Sequence, residues 1–422
     1  MLQQIDPKTI EYVFLLHSHC DHSMFIPYLY ANGFEGQVIT TYECAEIVKK
    51  LLLDSAYIHS KDIEYLKSKG KKVKPLYEEK DCYKTFDNIY TYDLDRIYEL
   101  NKNISFRLIT NSHVVGASQL ELFIKKNNGV VKKILYTSDL GSKTNKEFQP
   151  FLKDTKIVNK ANLVLIESTY GSSERCFTKK ECIDERKELI DTVKEFVLDN
   201  KRNCLIPCFS FGRLQNMMCF IYDNFKDIWN MNIPIIVDTK LGNEINDVYF
   251  KILQGKELEY WNKVKSWKAF KYIKEYKSTI AFLSSKQNAL ILSSGGMISA
   301  GHSLIYAKQL LGSSKDCICF CGFCSPNTVG GKILNDNQKT VKIDDSVCLK
   351  RCTIKRFNTF SSHAQQKDLI DYIKQINCDL IVLHHGDKEA KEELRKVSKE
   401  ELLKINKTTK VCCGYKDMQI VL

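Results

Sequence analysis

The sequence predicts an α/β chain folded into two or three domains. Three observations carry that prediction. Short apolar runs alternate with helical stretches along the whole chain, the pattern of strands interleaved with helices. There are 422 residues, and a domain averages about 150. Hydrophobic residues make up 44% and aromatics 11%, which is enough for a sizeable core and excludes wholesale disorder.

In chain order, Tyr12–Leu16, Ile104–Ile109, Ile134–Thr137, Leu163–Ile166, Cys204–Cys208, Ile233–Val237, Ala289–Leu292, Ile318–Phe320 and Leu380–Leu383 read as short buried strands. Helices are predicted over Glu43–Ser55, Lys180–Leu198, Leu214–Phe225, Leu304–Leu311 and Gln366–Gln375. There is no internal repeat or low-complexity segment, and with seven prolines no Pro-rich linker separates the domains. Leu253–Ser278 interleaves lysines with Trp261, Trp267, Phe270, Tyr272 and Tyr276. It reads as helical, with aromatics in the core and a solvated basic face; a stacking surface for nucleic acid is the alternative.

Apolar runs such as Ala289–Leu292 fall far short of the ~18–20 residues that cross a bilayer, so no membrane association is expected. Met1 to Thr9 carries no basic-then-apolar leader. A cytoplasmic location is therefore expected, where the seventeen cysteines stay reduced. In the densest cluster, Cys317, Cys319 and Cys321 alternate with Ile318 and Phe320, so they would share one face of a strand; Cys324 follows. Small apolar side chains in a buried strand is the preferred reading, with a zinc site as the alternative. The net charge of +12 is compatible with a polyanionic partner and says nothing about fold.

The strongest chemical signal is at the start. Val13–Leu16 leads into His17-Ser18-His19-Cys20-Asp21-His22. Three imidazoles and a carboxylate within six residues, at the exit of a strand, suit zinc. Only nine histidines occur in the chain, which argues against a chance polar turn. His17 and His19 would point the same way from an extended segment, and Asp21 and His22 could face a second metal. Further donors stand at strand exits or the turns around them: His113, Asp139, His363 and His385.

HSHCDH resembles the His-x-His-x-Asp-His signature of the metallo-β-lactamase fold. The later motifs resemble its β-CASP branch of nucleases. Glu167-Ser168-Thr169-Tyr170-Gly171 is similar to that branch's motif A, and IPCFSFGRLQ, around Gly212 and Arg213, to its loop before a helix. LSSGGMISAGHS and CGFCSPNTVGGKIL resemble the stretches leading into motif B, whose position would fall on Lys332. SSHAQQKDL resembles motif C and HHGDKEA the closing His-Gly-acid segment. The likeness runs nearly end to end, and the stand-alone RNA-processing proteins of bacteria and archaea are most similar.

The resemblance implies an αββα metallo-β-lactamase sandwich assembled from residues 1–172 and 329–422, with an inserted α/β β-CASP domain over 173–328 and the active site in the cleft between them. It implies two zinc ions per chain: His17, His19 and His113 on one, Asp21, His22 and His363 on the other, Asp139 bridging. A solvent between the metals would become the attacking hydroxide, since zinc lowers the pKa of bound water to about 7. Asp21 would act in catalysis as well as in binding. Glu167 would orient a proton donor for the leaving group, His385 or Lys332. Ser210, Gly212, Arg213, His302 and Thr328 lie in these motifs and are the expected substrate contacts, with Arg213 and the amides after Gly212 holding a phosphate. RNA-acting members carry His in motif C, as His363 here, so single-stranded RNA is the expected substrate; dimers are common among similar proteins.

Three features depart from the pattern. Sixteen residues precede His17, where relatives carry further strands, so an incomplete leading sheet is expected. Lys332 replaces an imidazole, and His302 stands where Arg is frequent. The leading functional reading is a zinc-dependent ribonuclease, endo- or 5′ exonucleolytic, in RNA processing or decay. The alternatives are an inactive RNA-binding scaffold and a small-molecule ester hydrolase of the same fold.

Overall fold

The computed structural model describes residues 5–143 and 146–421. Its contacts divide the chain into two compact units, one comprising Met1–Lys143, Leu152–Cys176 and Ser362–Leu422, the other Thr144–Phe151 and Phe177–Ser361.

The first unit opens with β1 (Tyr12–Phe14), α1 (Cys20–Ser23), α2 (Ile26–Ala31), β2 (Gln37–Thr40), α3 (Tyr42–Ser68), α4 (Glu79–Asp87) and β3 (Ile89–Thr91). β1, β2 and β3 pair in parallel in that order. Then come β4 (Ile97–Asn101), β5 (Ile104–Thr110), β6 (Ser118–Lys125), β7 (Val131–Tyr136) and β8 (Lys160–Glu167).

The second unit holds α5 (Lys179–Val193), β9 (Cys204–Cys208), α6 (Arg213–Phe225), β10 (Ile235–Asp238), α7 (Lys240–Ile252), α8 (Gly255–Lys265), β11 (Phe270–Ile273), α9 (Tyr276–Ser285), β12 (Leu290–Ser294), α10 (His302–Leu310), β13 (Cys317–Phe320), α11 (Val329–Leu334), β14 (Thr340–Ile343), β15 (Ser346–Leu349) and β16 (Thr353–Arg356). The chain returns to the first unit with α12 (Gln366–Gln375), β17 (Asn377–His384), α13 (Lys388–Lys404) and β18 (Lys410–Cys413).

In the first unit a seven-stranded sheet runs β18-β17-β8-β7-β6-β5-β4, antiparallel from β4 to β7 and parallel from β7 to β18. Leu16 and Ile39, on the small sheet's side, pack against Phe106, Leu108 and Leu120 of the large one, so the two sheets meet face to face. Leu15 and Val38 point the other way, into Ile26, Leu29, Val48, Leu52 and Cys82 of α2–α4. The outer face of the large sheet, with Leu135, Val164, Ile166, Ile381 and Leu383, is covered by Leu369, Tyr372, Ile373 and Leu394 of α12 and α13. Helices, sheet, sheet, helices: this is the αββα sandwich the sequence predicts.

The second unit is built on a parallel sheet of order β11-β10-β12-β9-β13-β16, with β14–β15 as a separate antiparallel pair. Its inner strands β10, β12, β9 and β13 are buried on both faces, as a sheet covered by helices requires. Tyr306, Ala307 and Leu310 of α10 and Ile333 of α11 cover Leu205, Ile236, Ile291 and Ile318. Trp261 is fully buried and Phe270 nearly so, whereas Tyr276 is exposed; most of the 253–278 stretch lies at the surface, and it is helical over α8 and the start of α9 with the strand β11 between them. Cys317 and Cys319 share a face of β13, as expected, and meet Cys204 of β9; the Cys319 sulfur lies 3.5 Å from that of Cys317 and 3.7 Å from that of Cys204.

Candidate metal centre

The chemistry-bearing residues of the first unit gather at the carboxyl ends of its strands. β1 delivers His17 and His19, α1 presents Asp21 and His22, β5 leads to His113, β7 to Asp139, β8 ends on Glu167, and β17 leads into His385. His363 enters through an isolated bridge to Gly141. The turns that do this are tight. A Cβ on Gly141 would lie 1.9 Å from the Ser112 carbonyl oxygen, so only glycine lets the loops bearing His113, Asp139 and His363 close together. Ser138 and His385 take left-handed backbone, φ +54° and +49°, a strain held where side chains must be aimed. Asn111 ties the loops: its side-chain amide donates to the carbonyls of Thr137 (3.0 Å) and Asp139 (2.6 Å), and its carbonyl oxygen accepts from the His113 amide (3.0 Å).

One cluster comprises His17, His19, His113 and Asp139, whose donor atoms all lie within 4.8 Å of one another. Asp139 Oδ2 is 3.6 Å from His17 Nε2 and 3.7 Å from His113 Nε2, and His113 Nε2 is 3.2 Å from His19 Nδ1. His17 Nδ1 pairs with the Ser138 hydroxyl at 3.2 Å, which leaves Nε2 facing inward, buried and without a hydrogen-bond partner. Burial holds His17 and His113 well below the ordinary histidine range and brings His19 down to about 4. These imidazoles are neutral at pH 7, the form that binds a cation.

A second cluster comprises Asp21, His22 and His385. His22 Nε2 lies 3.5 Å from Asp21 Oδ2, 3.4 Å from Asp139 Oδ2 and 3.2 Å from His385 Nε2. His385 also reaches Asp21 Oδ2 at 3.5 Å and Asp139 Oδ1 at 3.2 Å, and its Nδ1 meets the Thr169 hydroxyl at 3.0 Å. Burial would push Asp139 up, but the hydrogen bond from His22 and the charges of His113, His363 and His17 override it and hold the carboxyl far below its usual range. Asp21 is lowered in the same way, burial being overridden by His385, His22 and His19. A buried anion ringed by inward-facing imidazole nitrogens fits one or two divalent cations by the chemistry of its donors.

The late histidines differ from the expectation. His385, expected beside the leaving group, sits with Asp21 and His22. His363, expected on the second metal, stands with its Nε2 4.0 Å from Asp139 and its Nδ1 3.4 Å from Glu167 Oε1. The reason is local: the bridge to Gly141 anchors His363 over the buried Glu167, while the left-handed turn at His385 aims its ring at Asp139. Burial would lower His363, but the Glu167 carboxylate overrides it and lifts the imidazole to about 9. Glu167 is itself fixed by amides, from Leu140 (2.6 Å) to Oε1 and from Thr169 (3.2 Å) to Oε2.

The remaining expected residues lie in the second unit. Lys332 is exposed on α11, and the residue that faces Glu167 is an imidazole, His363. Gly212 takes φ +78° ahead of α6, and the Arg213 and Leu214 amides donate to the Phe211 and Phe209 carbonyls. Arg213 is half-buried beside Gly322. Ser210 faces Thr239 at 3.4 Å, and Thr328 caps α11 by accepting from the Gly331 amide. His302, expected at a phosphate, gives Nδ1 to the buried Asp238 carboxylate at 2.5 Å; Thr279 (2.7 Å) and Tyr306 (2.6 Å) donate to its other oxygen. Asn111, Ser138 and Thr169 were not singled out from sequence; their only signal there is that each stands within two residues of His113, Asp139 or Glu167.

Residues 214–333 match the Beta-Casp domain, and residues 350–409 match the Zn-dependent metallo-hydrolase RNA specificity domain. The chain is 26% identical over 397 residues to the transcription termination factor FttA of Methanocaldococcus jannaschii, covering 90% of this chain and 59% of that protein. It is 25% identical over 406 residues to RNase aCSPSF2 of Saccharolobus solfataricus, covering 95% and 74%. It is 24% identical over 398 residues to Integrator complex subunit 11 of Gallus gallus, covering 93% and 62%. The chain thus spans under two thirds of the termination factors and the Integrator subunit it matches. An αββα sandwich, histidine and aspartate clusters at its strand exits, and a Beta-Casp domain match followed by a Zn-dependent metallo-hydrolase RNA specificity domain match are what this chain shares with those proteins.

Proposed function

We propose that this protein is a zinc-dependent ribonuclease that hydrolyses phosphodiester bonds of single-stranded RNA in RNA processing or decay. The observation that carries the reading is the pair of adjoining clusters around the buried Asp139. His17, His19, His113 and Asp139 would hold one zinc, and Asp21, His22 and His385, with Asp139 shared, the other. Bound there, a zinc pair lowers the pKa of water towards neutrality and stabilises charge on phosphoryl oxygens.

The chain's own residues supply the rest. His17 and His385 are oriented by the Ser138 and Thr169 hydroxyls, which fixes their rings before any cation arrives. His363, kept cationic by Glu167, is placed to give a proton to the leaving oxygen. This exchanges the roles of His363 and His385 relative to the sequence reading and leaves Lys332 out of the proton transfer.

The test is incubation of zinc-loaded protein with RNAs labelled at either end, beside a single-stranded DNA control. Cleavage of RNA is expected, lost in His19→Ala and Asp139→Asn while RNA binding persists. Cleavage that survives both substitutions overturns the proposal.

A further inference from the structure

α3 is longer than its packing needs. Its buried residues, from Cys44 to Ala56, all lie in its first fifteen residues, and none lies in the twelve from Tyr57 to Ser68. A projecting helical end is normally polar all round, yet this one exposes large apolar groups: Tyr57 is 58% exposed, Ile58 49% and Tyr65 63%.

The exposed groups are ordered. Tyr57, Lys61, Tyr65 and Lys69 follow at intervals of four, so they form one stripe about 18 Å long at 1.5 Å per residue. Tyr57 and Tyr65 stand about 12 Å apart along it. Each lysine stands by the preceding ring: Lys61 Nζ is 5.8 Å from the Tyr57 centroid and Lys69 Nζ 5.5 Å from that of Tyr65. Beyond the helix end the chain reads Lys69-Gly70-Lys71-Lys72-Val73-Lys74, and its four lysines are all exposed. From Tyr57 to Lys74 there are six lysines against Asp62 and Glu64, so a third of the chain's net charge of +12 sits in eighteen residues.

The other end of α3 abuts the candidate site. The Thr41 hydroxyl donates to the Gly116 carbonyl at 2.7 Å, in the loop that follows His113. The stripe therefore begins about 24 Å, and ends about 42 Å, along the helix axis from that loop.

We infer that the exposed second half of α3 and the lysine turn after it form a docking arm for single-stranded RNA, with bases stacking on Tyr57 and Tyr65 and Lys69, Lys71, Lys72 and Lys74 meeting phosphates. Alternating rings and cations are what an unpaired strand offers partners for; a duplex hides its base faces, and a purely polyanionic surface has no use for exposed tyrosines. The inference rests on the ribonuclease reading and adds to it a second contact remote from the chemistry, so the arm favours long substrates.

The experiment measures binding of the full chain to a fluorescent single-stranded RNA by anisotropy across a salt series, beside a duplex RNA, an anionic-lipid vesicle and cleavage of a trinucleotide. Tyr57→Ala/Tyr65→Ala and Lys69→Glu/Lys71→Glu/Lys72→Glu change only exposed side chains. The tyrosine pair is expected to weaken long single-strand binding about tenfold or more. The lysine triple should lower the slope of log affinity against log salt by about 2, at roughly 0.7 per phosphate contact. Trinucleotide cleavage should be unchanged in both. Wild-type affinity and slope in both variants overturn the arm while leaving the ribonuclease reading intact. A wild-type chain that neither binds nor cleaves RNA overturns that reading instead, and the arm with it. A lysine effect without a tyrosine effect, equal on duplex or vesicle, also overturns the arm as a single-strand platform.

Discussion

His363 and His385 provide the sharpest separation between cation binding and proton transfer. The His385 imidazole lies 3.2 Å from His22 Nε2, 3.2 Å from Asp139 Oδ1 and 3.5 Å from Asp21 Oδ2. Removing it takes one of four donors from the second cluster. Losing even an outer partner of a metal ligand costs 10–100-fold in affinity, so His385→Ala should weaken the second cation by about 100-fold or more, about 2.7 kcal/mol. His363 stands 4.0 Å from Asp139 Oδ2 and is directed at Glu167. His363→Ala should therefore leave the metal content unchanged and slow cleavage by about 10²–10⁴, the range of general acid catalysis. Elemental mass spectrometry after dialysis reads metal per chain, and single-turnover cleavage of end-labelled RNA reads the rate. The expected pattern is near one zinc for His385→Ala and two for His363→Ala, both slow. The reverse pattern, with His363→Ala losing a zinc and His385→Ala keeping both, would refute the assignment.

Other outcomes follow from packing and charge. Chelation should abolish RNA cleavage and lower the melting temperature, with zinc restoring both; cleavage that persists after metal is shown to be gone would contradict the site. Gly141→Ala drives a Cβ to 1.9 Å from the Ser112 carbonyl and should cost at least about 3 kcal/mol in urea unfolding together with zinc content. Arg107 donates to Glu121 Oε2 through Nε at 2.9 Å and Nη2 at 2.5 Å, and Glu121 is fully buried; Arg107→Ala should cost about 3–5 kcal/mol, and Arg107→Met with Glu121→Leu much less. In the second unit, Asp238→Ala strands three donors and should cost about 3–5 kcal/mol, read by thermal unfolding, with the zinc content intact.

What the sequence disclosed tracks how local each determinant is. Three histidines and an aspartate within six residues need only a strand exit to converge, and they do. The apolar strands β5, β8, β9 and β12 announce themselves because both their faces are covered. β6 is harder to see, since Glu121 interrupts its apolar run, and its charge becomes tolerable only when Arg107 arrives from β5 and Lys133 from β7. β4 lies at the edge of its sheet with alternate residues exposed, so its apolar signal is halved. The same argument explains the late histidines. Which of two imidazoles, twenty-two positions apart, meets Asp21 is decided by a glycine that admits a backbone contact at one and a left-handed turn at the other, and neither is written in the identity of the histidine. His302 shows the limit most plainly. The resemblance puts His302 among the substrate contacts, and an aspartate sixty-four residues earlier, at the end of a parallel strand, is buried beside it and accepts from its Nδ1. A buried carboxylate is costly unless donors surround it, so Asp238 fixes the His302 ring through Nδ1, a core constraint that the identity of the histidine does not announce.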